Sequence, residues 1–509
     1  MPKIRSFYPK ENLIPRLYNW LYEQIRVKKL HTTFGYAIFI ILALVIAYVI
    51  SSLGTPYCYI IPSAFLGLGI TVGCIANTSF GFYFTLFYGF FVFIIKRMLF
   101  PVNIPLGSVT EGLIMATFLG VILKKIIHRE KNWSHSKNPI TYVYIIYLLY
   151  AGVEVINPFG ASISGWFFVY HKFFELIIYY YIALHIFRDM KSIKYFFKFW
   201  LIMALISALY GCYEQWFGMP HFETHFILSN PVLFGLDFQG GQFRKAGTLS
   251  DPMSFGILMA VTSVLAIILS MGPFKKRYRF ALLISSVFMV CAMAASGTRT
   301  ATAIFVCGIM LFGLMTLNNK KSLLFLCCFL LFGSVLIYGP FFGNNTINRL
   351  RTTFSGNKDP SMQVRNLDRK HIQPFMHAHP FGVGLATTGV LGLTYNPWNP
   401  LARFPPDSSY LRVALELGWV GLALTLFLYF TLLKMGINTY YQSRDPQIRS
   451  FALAATAVIF AWTIAQYSQE AIGQFPGSFT YYPLLAAIIK MKMLDKNSRN
   501  GINLAQEKT

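Results

Sequence analysis

Apolar runs long enough to cross a hydrocarbon layer recur along almost the whole chain. A bilayer core is about 30 Å thick and takes roughly 20 apolar residues per helix. Residues 34–51, 141–156, 252–271 and 411–434 approach or exceed that length. The chain is 55% hydrophobic and only 12% charged, so its main solvent is lipid rather than water. The reading is an all-α polytopic membrane protein, and its chemistry belongs where polar residues interrupt the apolar runs.

Fourteen spans are expected, at 34–51, 57–76, 80–96, 109–127, 140–156, 173–187, 198–217, 252–271, 279–295, 299–317, 322–339, 408–434, 450–469 and 477–491; merging the shortest pairs gives twelve. The domain reading is a cytoplasmic segment 1–33, one transmembrane domain over 34–491 and a cytoplasmic tail 492–509. Segment 1–33 is basic and precedes a run too long for a signal-peptide core, and residues 12–26 can lie on the membrane surface. The net charge of +25 would suggest nucleic acid in a soluble protein. Here the membrane explains it, because Lys and Arg accumulate on cytoplasmic loops. With the N-terminus inside, 30 of the 44 Lys and Arg residues fall on the cytoplasmic side and the C-terminus is cytoplasmic too. The seven cysteines lie in or at the ends of apolar runs with no metal-binding spacing, so they read as packing residues.

Two connections are long, 218–250 and 340–407, and both fall on the extracytoplasmic side with no obvious strand or helix periodicity. Loops of this length are usually functional. Both are basic where the charge rule expects few cations. Arg244 and Lys245 stand in the first, and seven cations including Arg365, Arg369 and Arg403 stand in the second. In Phe243–Pro252, Asp251 is a natural N-cap and Pro252 suits the first helical position. Arg244 is either a snorkelling interface residue or a site residue. Arg299, in Ser296-Gly297-Thr298-Arg299, is a single cation in a tight turn between two spans. An ionisable group there is a site hypothesis by default. His371, His377 and His379 match no zinc spacing, and Gly382-Val383-Gly384 marks a tight backbone turn. In Asp407-Ser408-Ser409-Tyr410-Leu411-Arg412-Val413-Ala414-Leu415-Glu416, Arg412 and Glu416 are four apart and can pair along one helix face. Asp407 caps that helix, orients or deprotonates a hydroxyl, or does both.

These strings, in this order, resemble the O-antigen ligase/O-antigen polymerase superfamily of bacterial membrane glycosyltransferases. The matching elements are Arg244–Thr248, Ser296–Arg299, Arg365 with Pro380–Gly384, and Ser409–Leu411 with Glu416–Gly418 and Gly421-Leu422. The resemblance covers mainly residues 195–440. It implies a GT-C-like bundle with a large extracytoplasmic loop, a polyprenyl-diphosphate-linked glycan donor, a glycan or lipid acceptor, and neither metal nor other cofactor. Ligases of the family carry His where this chain has Asp407, which favours a polymerase of surface polysaccharide over a ligase. On this reading Arg244, Arg299, Arg365 and Arg412 bind the diphosphate. Asp407 and Arg299 are the catalytic pair, because guanidinium groups can receive the charge of a departing diphosphate while a carboxylate takes the acceptor proton. The expected location is the bacterial cytoplasmic membrane with the site on its outer face. Expected partners are membrane lipids and a chain-length regulator or flippase, with no nucleic acid. The competing class is a transporter of lipid-linked glycans, but Glu154, Glu175 and Glu214 are scattered and no two halves match.

Overall fold

Thirteen of the fourteen expected spans coincide with helices. The computed structural model describes residues 57–102, 106–127, 137–160, 162–239, 241–340 and 360–506, with isolated positions at 37, 40, 44, 48, 348 and 351. The expected span at 34–51 and the segment 1–33 therefore lie outside the described residues, those four isolated positions of the span excepted. The helices are α1 Tyr57–Ala76, α2 Thr78–Leu99, α3 Leu106–Ile127, α4 Pro139–Val153, α5 Ile163–Ile186 and α6 Met190–Phe217. After them come α7 His221–Leu228, α8 Pro231–Asp237, α9 Pro252–Ser270, α10 Lys276–Ala295, α11 Arg299–Met315 and α12 Lys320–Tyr338. The last six are α13 Pro360–Ala378, α14 Gly389–Tyr395, α15 Ser409–Glu416, α16 Gly418–Gln442, α17 Pro446–Ala465 and α18 Gly477–Gln506. The described sheet is one hairpin of β1 Phe238–Gln239 and β2 Gln242–Phe243. Among the described residues nine helices have the length and hydropathy to cross a membrane: α2, α4 with its 3-10 extension to Ile156, α5, α6, α9, α10, α12, α16 and α17. This is an all-α multi-pass membrane protein.

The chain forms two compact units. The first comprises 1–81 and 115–132, and within it Lys124 of α3 donates to Thr78 Oγ1 at 3.5 Å. The second comprises 82–114 and 133–509. Its centre is α9, apolar on every side and therefore buried. The apolar stretch of α9 is 94% buried and that of α17 83%, whereas α12 is only 11% buried and turns its leucines to lipid. The helix ends of this unit sort into two layers. At one end, the end of α17 meets the start of α15, where Ser409 N–H donates to the Gln466 carbonyl at 3.0 Å. At the other, Lys194 near the start of α6 donates to Gln447 near the start of α17, and Ser443 Oγ donates to Asp495 at 2.7 Å.

Two expectations are corrected. The long loops carry helices: α7, α8 and the hairpin occupy part of 218–250, and α13 and α14 part of 340–407. And the single span expected over 408–434 is broken into α15 and α16 at Gly418, whose φ is +66°. The break leaves carbonyls without helical partners, and the segment 380–384 satisfies them. Val383 N–H donates to the Leu415 carbonyl at 2.9 Å and Gly384 N–H to the Glu416 carbonyl at 3.0 Å, while Trp419 N–H donates to the Pro380 carbonyl at 2.8 Å. The two backbones approach so closely that only glycine fits. A Cβ at Gly418 would stand 2.3 Å from the Pro380 oxygen, and one at Gly382, where φ is +84°, 2.5 Å from the Glu416 oxygen. The Gly382-Val383-Gly384 string, read from sequence as a tight backbone turn, is a close crossing of two backbones.

Candidate active site

The basic loop after α8 is built around its own backbone. Asn230 caps α8 by accepting from Val232 and Leu233 N–H, and the hairpin turns the chain back so that Arg244 N–H donates to the Asp237 carbonyl at 2.8 Å. The guanidinium of Arg244 then reaches the turn between α10 and α11. Its Nε donates to the Ser296 carbonyl at 3.0 Å and its Nη2 to Thr298 Oγ1 at 2.9 Å. Thr298 is the residue before Arg299, and Arg299 is the first residue of α11. Two arginines 55 positions apart are thereby brought to one rim, through a turn made possible by Gly297 at φ +61°. Beside it Asp251 caps α9 as expected, accepting from Met253 and Ser254 N–H at 2.9 and 2.8 Å, with Pro252 at the first helical position.

Beneath Arg244 lies an ion network that sequence reasoning missed. Arg97, at the end of α2, is 5% exposed; its Nε stands 3.3 Å from Glu223 Oε1 of the fully buried Glu223, and its Nη2 donates to the Gly247 carbonyl. Glu214, near the end of α6, accepts from Gly247 N–H at 2.9 Å. Glu214 is therefore not a scattered charge but one of the groups that fix the Arg244–Thr248 loop. The available signal was that Lys96 and Arg97 stand at the end of a span that the expected topology places outside, against the charge rule. Burial pushes the Lys245 ammonium below its ordinary range, against the pull of Glu214 and Glu223. Burial likewise pushes the Asp237 carboxyl up to about 6, with Arg244 and Arg97 pulling it down.

A second polar cluster sits at the break between α15 and α16, at the same end of the unit. Arg412 Nε lies 3.7 Å from Glu416 Oε1, which realises the expected pair. The same guanidinium is also bound by Glu470, in the segment between α17 and α18, and Glu416 accepts from the Thr388 hydroxyl and N–H. Arg412 is thus matched by two carboxylates. Glu470 was not singled out in the sequence, though it is an acidic residue placed just past a span, on the same side as Arg412. Lys172 of α5 lies within electrostatic reach of Glu470 and Arg412, and His171 Nε2 stands 3.4 Å from Glu111.

Asp407 is exposed, directly before α15. It is not the cap. Ser408 holds that position, with its Oγ accepting from Leu411 N–H at 3.5 Å. Arg365 lies on α13, and its side chain, like those of Asp368 and His371, is outside the described residues. His379 packs its ring on Phe375 with centroids 4.1 Å apart, and His377 lies against Trp419. Among the described residues no group of three His, Cys, Asp or Glu could hold a metal ion.

The family model Wzy_C, described as O-antigen ligase, matches residues 284–426. Over this stretch the chain is similar to O-antigen ligases, which supports a place in the O-antigen ligase/polymerase superfamily. The O-antigen ligase domain runs from within α10 into α16 and takes in the Ser296–Arg299 turn, Arg365, Asp407, and the Arg412–Glu416 pair. Arg244, Arg97 and Glu470 lie outside it and reach its residues or its flanks through the fold. No curated protein matches the chain. The match supports an O-antigen ligase/polymerase type of function in general.

Proposed function

We propose that the protein polymerises surface-polysaccharide repeat units from a polyprenyl-diphosphate-linked donor at the outer face of the cytoplasmic membrane. The observation that carries this reading is the bond between Arg244 and Thr298, which joins the basic loop to the turn bearing Arg299. Arg244 and Arg299, with Arg365 from α13, hold the donor diphosphate. The acceptor hydroxyl attacks the anomeric carbon of the donor sugar, the bond from that carbon to the diphosphate oxygen breaks, and the polyprenyl diphosphate leaves with the bonding pair. Guanidinium groups aimed at that oxygen stabilise the charge as it develops. Asp407 receives the hydroxyl proton; its exposed place before α15 lets an acceptor from outside the bundle approach it. Arg412, engaged by Glu416 and Glu470, has its charge matched within the fold and fixes the broken helix that presents Asp407.

The description of the matching family, O-antigen ligase, favours a second reading, single transfer of the glycan to a lipid or protein acceptor. Purified protein incubated with a lipid-linked oligosaccharide separates the two. A ladder of products supports polymerisation, one shifted acceptor band means ligation, and unchanged donor with intact protein removes both.

A further inference from the structure

At the end of the second unit opposite the Arg244–Thr298 rim, a groove of about 390 Å³ opens between α6, α9 and α10. Its floor is apolar and buried: Phe197 and Leu269 are 1% and 2% exposed and Phe451 of α17 is 5% exposed. The floor is also closely packed. Phe451 packs on Phe197 with ring centroids 5.0 Å apart and on Phe274 at 5.7 Å. No carboxylate lines the groove. Its charged lining groups are Lys194 and Lys198, one helical turn apart on α6. Ser285 spends its hydroxyl on the Ala281 carbonyl of its own helix. Lys194 is held in place by its bond to Gln447. The exposed Lys275, Lys276 and Arg277 follow at the start of α10. The N-termini of α6, α10 and α17 meet at this same end, and each favours negative charge.

We infer that this groove holds one anionic phospholipid, with an acyl chain on the apolar floor and the phosphate on Lys194 and Lys198. In a bilayer an unfilled apolar groove is occupied by hydrocarbon, and the lysines choose the headgroup. The capping carboxylates Asp189 and Asp445 also lie at these helix starts, but each is engaged with the backbone of its own helix. The polyprenyl donor is a poorer fit, because its diphosphate belongs at the other end of the bundle, whereas the cations here demand an anion at this surface. Only this exclusion of the donor rests on the proposed catalytic reading; the groove and its lysines do not.

The test is native mass spectrometry of the delipidated full chain, offered equal amounts of phosphatidylglycerol and phosphatidylethanolamine with identical acyl chains. The wild type retains one phosphatidylglycerol in clear preference. Lys198→Glu lowers that retention by about fivefold or more, since each basic residue near an anionic surface is worth about that factor, and leaves phosphatidylethanolamine unchanged. Ser285→Trp fills the groove and lowers both; Ile202→Trp does the same should Ser285→Trp fail to fold. Equal retention of the two lipids by the wild type overturns the proposal, as does a Lys198→Glu protein that keeps the preference. So does polyprenyl phosphate displacing phosphatidylglycerol, which would make the groove a donor-tail site. A change from dimer to monomer in the filled variants without any change in lipid would give the groove to a second copy, and also overturns it.

Discussion

Gly418→Ala tests the broken helix that presents the candidate site. Gly418 has φ +66°, a conformation that costs an L-residue roughly 1–2 kcal/mol. The new Cβ would also stand 2.3 Å from the Pro380 oxygen and 2.4 Å from the Phe381 carbonyl carbon, both backbone atoms that cannot swing aside. The segment 380–384 must therefore withdraw, taking with it the bonds Val383–Leu415, Gly384–Glu416 and Trp419–Pro380. At roughly 0.5–1.5 kcal/mol each, three such bonds and the φ penalty together come to about 2.5–6.5 kcal/mol. That is a large fraction of the roughly 5–15 kcal/mol that holds an ordinary domain. The control is Gly333→Ala, in the lipid-facing α12, where a Cβ meets nothing within 4 Å. It should be neutral or stabilising by up to about 1 kcal/mol through helix propensity. The assay is thermal unfolding in detergent together with hydrogen exchange at the amides of Val383, Gly384 and Trp419. Fast exchange at those three amides and a clear loss of stability are expected for Gly418→Ala alone. The reasoning is refuted if Gly418→Ala melts and exchanges like Gly333→Ala.

Arg97→Met leaves Glu223 buried without its partner and should cost about 3–5 kcal/mol, read by thermal unfolding; Arg97→Lys should rescue little, because a single ammonium cannot reproduce the guanidinium fork that meets both Glu223 and Gly247. Asp407→Asn should abolish chain extension without loss of folded protein, since Ser408 provides the cap; normal extension would remove Asp407 as base. Asp237 is protonated below about pH 6 and ionised above it. Its negative charge then faces Arg244, so donor binding should weaken as pH rises through about 6, and Asp237→Asn should flatten that step in a titration of donor affinity.

The membrane helices were legible because apolar runs of bilayer length have few alternatives in lipid. The Asp251-Pro252 start of α9 was legible because cap and first-turn proline are adjacent in sequence. The break at Gly418 was not. A Leu-Gly step inside an apolar run reads as continuous helix, and what opens it is a segment more than thirty residues upstream that supplies the missing hydrogen bonds. The same distance hid the site. Arg244 and Arg299 each stood out as a cation on the unexpected side of a span, but their link through Thr298 exists only after the hairpin β1–β2 turns the loop back. Asp407 was read as a plausible cap from residue type, while Ser408 takes the position by one residue of register. Glu470 and Arg97 were passed over because they belong to no recognisable string; their significance comes from the charges they meet.

The central claim is that Arg244 and Arg299 hold one diphosphate between them. The most direct measurement is binding of a polyprenyl-diphosphate-linked oligosaccharide to purified wild type, Arg244→Ala, Arg299→Ala and the double variant. Each single change should weaken binding. The double change should lose markedly less, or more, than the sum, because groups sharing one ligand couple by about 0.5–3 kcal/mol. Donor binding at wild-type strength in both single variants, with the proteins folded, would contradict the account.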